Sequence, residues 1–250
     1  MYRILEQNAE VKERREQARH PAYAKPELLA TDPNQLWSWD ITKLRGPAKW
    51  SYYYLYVIVD GFSRDVVGWL IAEQQSETLA KELVVQSCAK QEILPAQLTL
   101  HPDRGPVMPS KPLALLLADL GLSKTHSRPY TANDNPFSEA QFKTLKYRPD
   151  YPDRFDSLQA ARQWAQAFFP WYNHDHHHTA LGLMTPAMLH YGQVDLVQAQ
   201  RQQVLQAAYA AHPERFVKGM PVLPELPTEV WINKPQSEVT TLPKPKVIVP

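Results

Sequence analysis

Three acidic residues carry the chemistry expected of this chain. Asp40 stands in Trp37-Ser38-Trp39-Asp40-Ile41-Thr42, Asp103 in His101-Pro102-Asp103-Arg104-Gly105, and Glu139 in Asn133-Asp134-Asn135-Pro136-Phe137-Ser138-Glu139. Asp103 and Glu139 are separated by 35 residues. Carboxylates brought together repel one another and resist joint ionisation unless divalent cations occupy the space between them. An all-oxygen donor set suits Mg²⁺ or Mn²⁺ rather than zinc. Two such ions about 3.5–4 Å apart activate an attacking oxygen and stabilise a leaving one in phosphoryl transfer. Lys143 and Lys146 follow Glu139 at helical spacing, so all three line one helix face and the lysines would hold phosphates beside the metals.

Positioning these acids requires strands and a helix. Trp37–Thr42 reads as a strand whose alternation sends Trp37, Trp39 and Ile41 to one face and Asp40 to the other. Tyr52–Asp60 is strongly β-prone, residues 61–64 form a turn, and Asp65–Ala72 returns as a third strand. Ser76–Gln91 carries Leu79, Leu83, Val84 and Cys88 at helical spacing. Gln97–His101 is the fourth strand, with Asp103 just past its carboxyl end, a common place for a ligand-binding residue in an α/β sheet. A helix over Lys111–Leu120 and a fifth strand over Leu122–His126 are separated by the break at Gly121. Asn135 is the N-cap and Pro136 the first residue of the Glu139 helix. Further helices are expected over Ser157–Tyr172, from Pro186 through His190, and over residues 195–211. Hairpin-linked strands followed by alternating helices and strands predict an α/β fold, a mixed five-stranded sheet with helices on both faces.

The ordered set Asp40, Asp103, Glu139 and a lysine seven residues further on resembles the DDE signature of insertion-sequence transposases and retroviral integrases. The wording is similar to the catalytic subunit of the bacterial insertion sequences nearest to integrase, with W-x-x-D-I-T, H-x-D-R-G, N-D-N-P-x-S-E-x-x-F-K-T-L-K-Y and Y-N-x-x-x-x-H-x-x-x-G-x-x-T-P all present, the last running from Tyr172 through Pro186. The similarity spans roughly residues 30–192. It implies an RNase H-like integrase core in which Asp40, Asp103 and Glu139 are both catalytic residues and ligands of Mg²⁺ or Mn²⁺, two ions in all. Metal-dependent DNA cleavage and strand transfer on insertion-sequence ends and target DNA would follow. Lys143, Lys146, Arg104, Asn133 and Asn135 are the DNA-contact candidates. Asp60 is assigned to strand-end and turn structure. The resemblance departs at Pro106, where relatives carry a small polar residue, and this stiffens the turn after Asp103. The alternative is a transposase relic or regulator that binds DNA or a partner without catalysis.

Composition bounds the rest. The 250 residues are 44% hydrophobic and 21% charged with a net charge of +1, so any DNA-binding surface must be local. The single Cys88 fits a reducing compartment, and no apolar run approaches a membrane span, so a cytoplasmic, nucleoid-associated protein is expected. Residues 1–30 read as a charged helix and linker, a remnant of an upstream DNA-binding region; 31–192 as the catalytic core; 193–250 as a C-terminal helix and proline-rich tail. Relatives carry a helix-turn-helix upstream, which implies a separately encoded subunit beside a homo-oligomer on DNA. Trp231 and Ile232 invite docking on a partner protomer, with a disordered tail as the alternative. His174, His176, His177 and His178 lack metal-ligand spacing and suit a loop near phosphate or beside the Glu139 helix.

Overall fold

Aromatic and β-branched runs supply the strands, and hairpin turns set their order. In the computed structural model, which describes residues 23–103, 105, 110–129 and 131–235, a short β1 (Leu28–Ala30) precedes β2 (Leu36–Arg45), β3 (Tyr52–Asp60) and β4 (Val66–Ala72). The last three form an antiparallel meander. Helix α1 (Glu77–Lys90), N-capped by Ser76, crosses to β5 (Thr99–Pro102), which runs parallel to β2. Helix α2 (Lys111–Asp119) then leads to β6 (Ser123–Lys124), parallel to β5. The resulting order, β4-β3-β2-β5-β6, is the expected mixed five-stranded sheet.

Strand alternation feeds two cores. Tyr56 and Ile58 of β3 join Trp37 and Trp39 of β2 beneath α1 and α2, where Leu83, Val84, Leu113 and Leu117 cover them. Leu55, Val57 and Val59 face the other way. There they meet Phe142 and Leu145 of α3 (Pro136–Lys146) and Phe168 and Phe169 of α4 (Leu158–His174). Gly68 on β4 permits close approach of α1, since a Cβ there would stand 2.0 Å from the Ser87 hydroxyl. Asp40 therefore faces α3, opposite Trp37 and Trp39, as alternation predicts. Beyond α4 come the short α5 (Pro186–His190) and the longer α6 (Val194–Ala211), none of whose residues is buried.

Three expectations need correction. The fifth strand is shorter than predicted, because only Ser123 and Lys124 register against β5 before the chain turns toward Glu139. The linker before residue 35 contains β1, which pairs antiparallel with β7 (Val230–Ile232). Trp231 and Ile232 thus dock on their own chain: Ile232 is fully buried among Ala30, Leu36, Phe62 and Phe137, because two short apolar runs at opposite ends of the sequence satisfy each other. The expected helix in residues 3–20, Arg104, Pro106 and the tail past residue 235 lie outside the described residues. No helix among the described residues is long and apolar enough to cross a membrane.

Candidate active site

β5 pairs with β2 from Leu36↔Thr99 to Trp39↔Pro102, and the Asp103 amide donates to the Trp39 carbonyl at 3.1 Å. Asp40 and Asp103 occupy the next position on the two strands, where neighbouring backbones lie about 4.8 Å apart. Past this point β2 continues to Arg45, paired on one side with β3 and, among the described residues, with no strand on the other. Both aspartates thus stand at the end of the described β2–β5 register.

Helix α3 brings the third acid. Its first turn is tied to β2 by a 2.7 Å contact between the Ser138 and Ser38 hydroxyls. Its last turn is tied by the Lys146 ammonium, which donates to the Thr42 hydroxyl at 2.7 Å. Four residues of strand span about 13 Å and eight residues of helix about 12 Å, so the two ties match and α3 lies along β2. Asp40 falls between them, with Glu139 one residue past the first.

Electrostatics register the convergence. The Asp40 carboxyl is pushed from 3.8 up to about 7, first by burial and then by the negative charges of Asp103 and Glu139, against the Ile41 amide and the Lys146 ammonium, which lower it. The Ile41 N–H donates to Asp40 at 2.7 Å. Among the described residues no three His, Cys, Asp or Glu side chains are drawn together at metal-ligand spacing. Asp103 and Glu139 are thus near enough for their charges to raise Asp40, although the three do not close to metal-ligand spacing. Hard oxygen donors whose joint ionisation needs a cation fit Mg²⁺ or Mn²⁺.

Asn135 faces the interior. It holds the N-cap position of α3, but its side chain makes no capping bond. It is only 3% exposed; its amide oxygen accepts from the Ser38 hydroxyl and its amide nitrogen donates to the Trp39 carbonyl at 3.4 Å. With its polar atoms engaged inside, it holds α3 against β2. Asn133 is exposed, as are Lys143 and Lys146.

Sequence reasoning missed the groups that brace this arrangement. Asp134 is buried, and the Arg128 guanidinium grips both its oxygens at 2.9 and 3.0 Å. The Arg128 amide donates at 2.8 Å and Asn233, just past β7, at 2.7 Å. Burial alone would raise the Asp134 carboxyl; these donors outweigh it and pull it down to about 2. The Asp134 carbonyl accepts from His101 Nε2 at 2.8 Å, and Thr125 meets Nδ1 at 2.7 Å. A carbonyl only accepts, so Nε2 carries the proton and Nδ1 takes the Thr125 hydroxyl hydrogen. His101, two residues before Asp103, was visible in the H-x-D-R-G motif; Asn233 has no local signal.

Asp60 is the turn residue expected: its carboxylate accepts from the amides of Asn34, Phe62 and Ser63 at 2.7, 3.1 and 2.7 Å and from the Ser63 hydroxyl at 2.8 Å. The histidine segment packs beside α4, with the His176 and His178 rings 4.5 Å apart and Tyr172 against both. Burial drives His178 down to about 4.

Two models of the integrase core domain match this chain, over residues 30–132 and 120–186. The chain is 30% identical over 158 residues to the transposase for insertion sequence element IS904 of Lactococcus lactis, covering 63% of this chain and 61% of that one. It is 29% identical over 136 residues to transposase InsF for insertion sequence IS3A of Escherichia coli, covering 54% and 46% respectively. It therefore spans about half to three fifths of the length of these curated relatives. A chain of the simian T-cell lymphotropic virus intasome in complex with PP2A regulatory subunit B56 gamma superposes with a TM-score of 0.52 at 22% identity, covering 68% of this chain and 60% of that one. The fold is that of the RNase H-like integrase cores. The chain belongs to the integrase core domain family, whose two models together match residues 30–186.

Proposed function

We propose that the protein is a DDE transposase that cleaves DNA and transfers strands with the help of two Mg²⁺ or Mn²⁺ ions. The observation that carries this is the convergence of Asp40, Asp103 and Glu139 from two strands and a helix, with the Asp40 carboxyl pushed to about 7 by burial and by the other two acids. Asp40 and Asp103 would share the metals and Glu139 would hold the second. Bound there, the ions supply Lewis-acid stabilisation of the attacking and leaving oxygens. Lys146, and more weakly Lys143, hold a phosphate of the element end beside the acids. Ser38, Asn135 and Ser138 keep α3 seated so that Glu139 faces the aspartates. Water attacks first to free a 3′-hydroxyl, which then attacks a second phosphodiester; no covalent enzyme intermediate is required.

Element ends and target DNA are the substrates in this reading. A homo-oligomer on DNA, joined by a separately encoded helix-turn-helix subunit, is the assembly, and the cytoplasm is its location. Cleavage of a labelled duplex carrying an element end, with and without Mg²⁺, tests the proposal. Cleavage lost in EDTA, restored by Mg²⁺ or Mn²⁺ and abolished by Glu139→Gln is the expected result. DNA binding without cleavage under any divalent ion would identify a non-catalytic regulator instead.

A further inference from the structure

The edge of β2 that runs away from the acids is basic, and it ends in an exposed tryptophan. A groove of about 450 Å³ beside it is lined by Lys43, Arg45, Lys146, Tyr151 and Asp153. A second, of about 270 Å³, shares Arg45 and adds Lys49, Trp50, Tyr52 and Arg154. Five cations and one acid thus line a continuous track from the Lys146–Asp40 neighbourhood to the β2–β3 turn. Asp153 pairs with Arg45 at 2.6 Å, but both side chains are largely exposed, at 78% and 62%, so phosphate can displace it. The net charge of the chain is only +1, which makes this local concentration of cations informative.

The tip is built and not loose. The Arg154 guanidinium donates to the Gly46 and Ala48 carbonyls at 3.0 and 3.1 Å, and the Gly46 amide bonds the Ser51 carbonyl at 2.9 Å. Trp50 sits at φ +70°, a backbone region where turns ordinarily place glycine or asparagine. Its ring is 76% exposed, with the Lys49 ammonium 5.6 Å from its centre. The core makes little use of this indole. A large flat ring flanked by cations suits a nucleic acid, which offers phosphates and stacking faces together.

We infer that the β2–β3 turn is a DNA-gripping element, in which Lys43, Arg45 and Lys49 hold the phosphates of a duplex leading away from the acids and Trp50 packs against its sugars and base edges. From Asp40 to Arg45 the strand rises about 17 Å, so the tip meets DNA about five base pairs or more from the reacting phosphate at 3.4 Å per step. The inference rests on the reading of the protein as acting on DNA.

The test uses the full chain and a fluorescein-labelled 30-base-pair duplex of mixed sequence, with affinity measured by anisotropy across a salt series. Lys43→Ala/Lys49→Ala is expected to reduce the log–log salt slope by about 1.8, two contacts at about 0.9 each. Trp50→Ala is expected to weaken binding about tenfold with the slope unchanged, and Trp50→Phe to restore most of it, because a flat apolar contact with the duplex is lost and then regained. Unchanged melting temperatures separate these effects from misfolding. If the wild-type chain binds the duplex and these variants match it in affinity and slope, the gripping role is overturned while the DNA reading stands. If the wild-type chain has no salt-dependent affinity for the duplex, the DNA reading itself falls and the inference with it.

Discussion

Asp40 and Asp134 lie in adjoining parts of one site and have opposite fates. Asp134 receives the Arg128 fork, the Arg128 amide and the Asn233 amide, and its carboxyl is pulled down to about 2. Asp40 receives one backbone N–H and faces two other carboxylates, and burial with their charge drives it up to about 7. The fold meets the needs of the first acid with its own donors, which makes it a structural rivet. It leaves the second unsatisfied, and such a carboxylate is stable as an anion only when a cation arrives. Asp60, saturated by amides and a hydroxyl, belongs with Asp134. Missing donors alone do not mark an acid for catalysis: Asp65, also buried, has no hydrogen-bond donor on either oxygen and is likewise raised to about 7 by burial and by Asp60, so the neighbourhood of Asp103 and Glu139 is what sets Asp40 apart.

The contrast breaks most visibly under loss of charge. Asp40→Asn, Asp103→Asn and Glu139→Gln should each lower cleavage and joining by roughly 10³-fold or more, several kcal/mol of transition-state stabilisation. Circular dichroism and thermal melts should show each variant folded. An acid whose replacement unfolds the protein would belong in the Asp134 class, and one whose replacement spares activity would leave the triad.

Asp134→Ala should act in the opposite manner, costing about 2–4 kcal/mol of folding stability in urea titrations because the half-exposed Arg128 and the Asn233 amide lose their shared acceptor. The carboxyl sits below its ordinary 3.8 in the folded protein, so its contribution is complete above that value and is lost as pH falls toward about 2. The acid limb of the stability profile should shrink accordingly in the variant.

For Asp40 the sign reverses. Its folded value exceeds the ordinary one, so the metal-free protein should lose stability as pH rises from about 3.8 to about 7. Asp40→Asn should then be more stable than wild type at pH 8 by about 1–3 kcal/mol, with the gain gone below pH 4. Mg²⁺ at a hundredfold its dissociation constant should stabilise the wild type by about 2.7 kcal/mol and leave Asp40→Asn nearly unmoved. An equal Mg²⁺ response in both proteins would place the ion elsewhere.

The smallest effect concerns Lys146, whose charge lowers the Asp40 carboxyl while its ammonium bonds Thr42. Lys146→Ala should reduce the log–log salt slope for duplex DNA by about 0.9, with Lys143→Ala affecting it less. A slope and strand-transfer rate at wild-type values would restrict Lys146 to tying α3 to β2.

Much of this organisation is local and therefore legible in the chain. The alternation Trp37, Trp39, Ile41 against Asp40 announces a strand with an acid on the face opposite the core, because side chains switch sides at every residue. Pro136 at the first helical position starts α3 in sequence as in space, and Glu139, Lys143 and Lys146 share its face. The ordered acids and their motif wording point to an integrase-like core.

Only the tertiary structure decided which polar side chains serve which purpose. Asn135 reads as a helix N-cap and DNA-contact candidate until the packing of α3 on β2 turns its side chain inward to Ser38 and Trp39. Asn233 lies 99 residues from Asp134, and Trp231 and Ile232 about 200 residues from the strand they pair with. No propensity or spacing rule operates over such separations. Local sequence determined which residues form strands, which form the helix and where the acids sit on them. Whether an acid is fed by donors or left to face its own kind depends on which distant segments arrive beside it, and packing alone settles that.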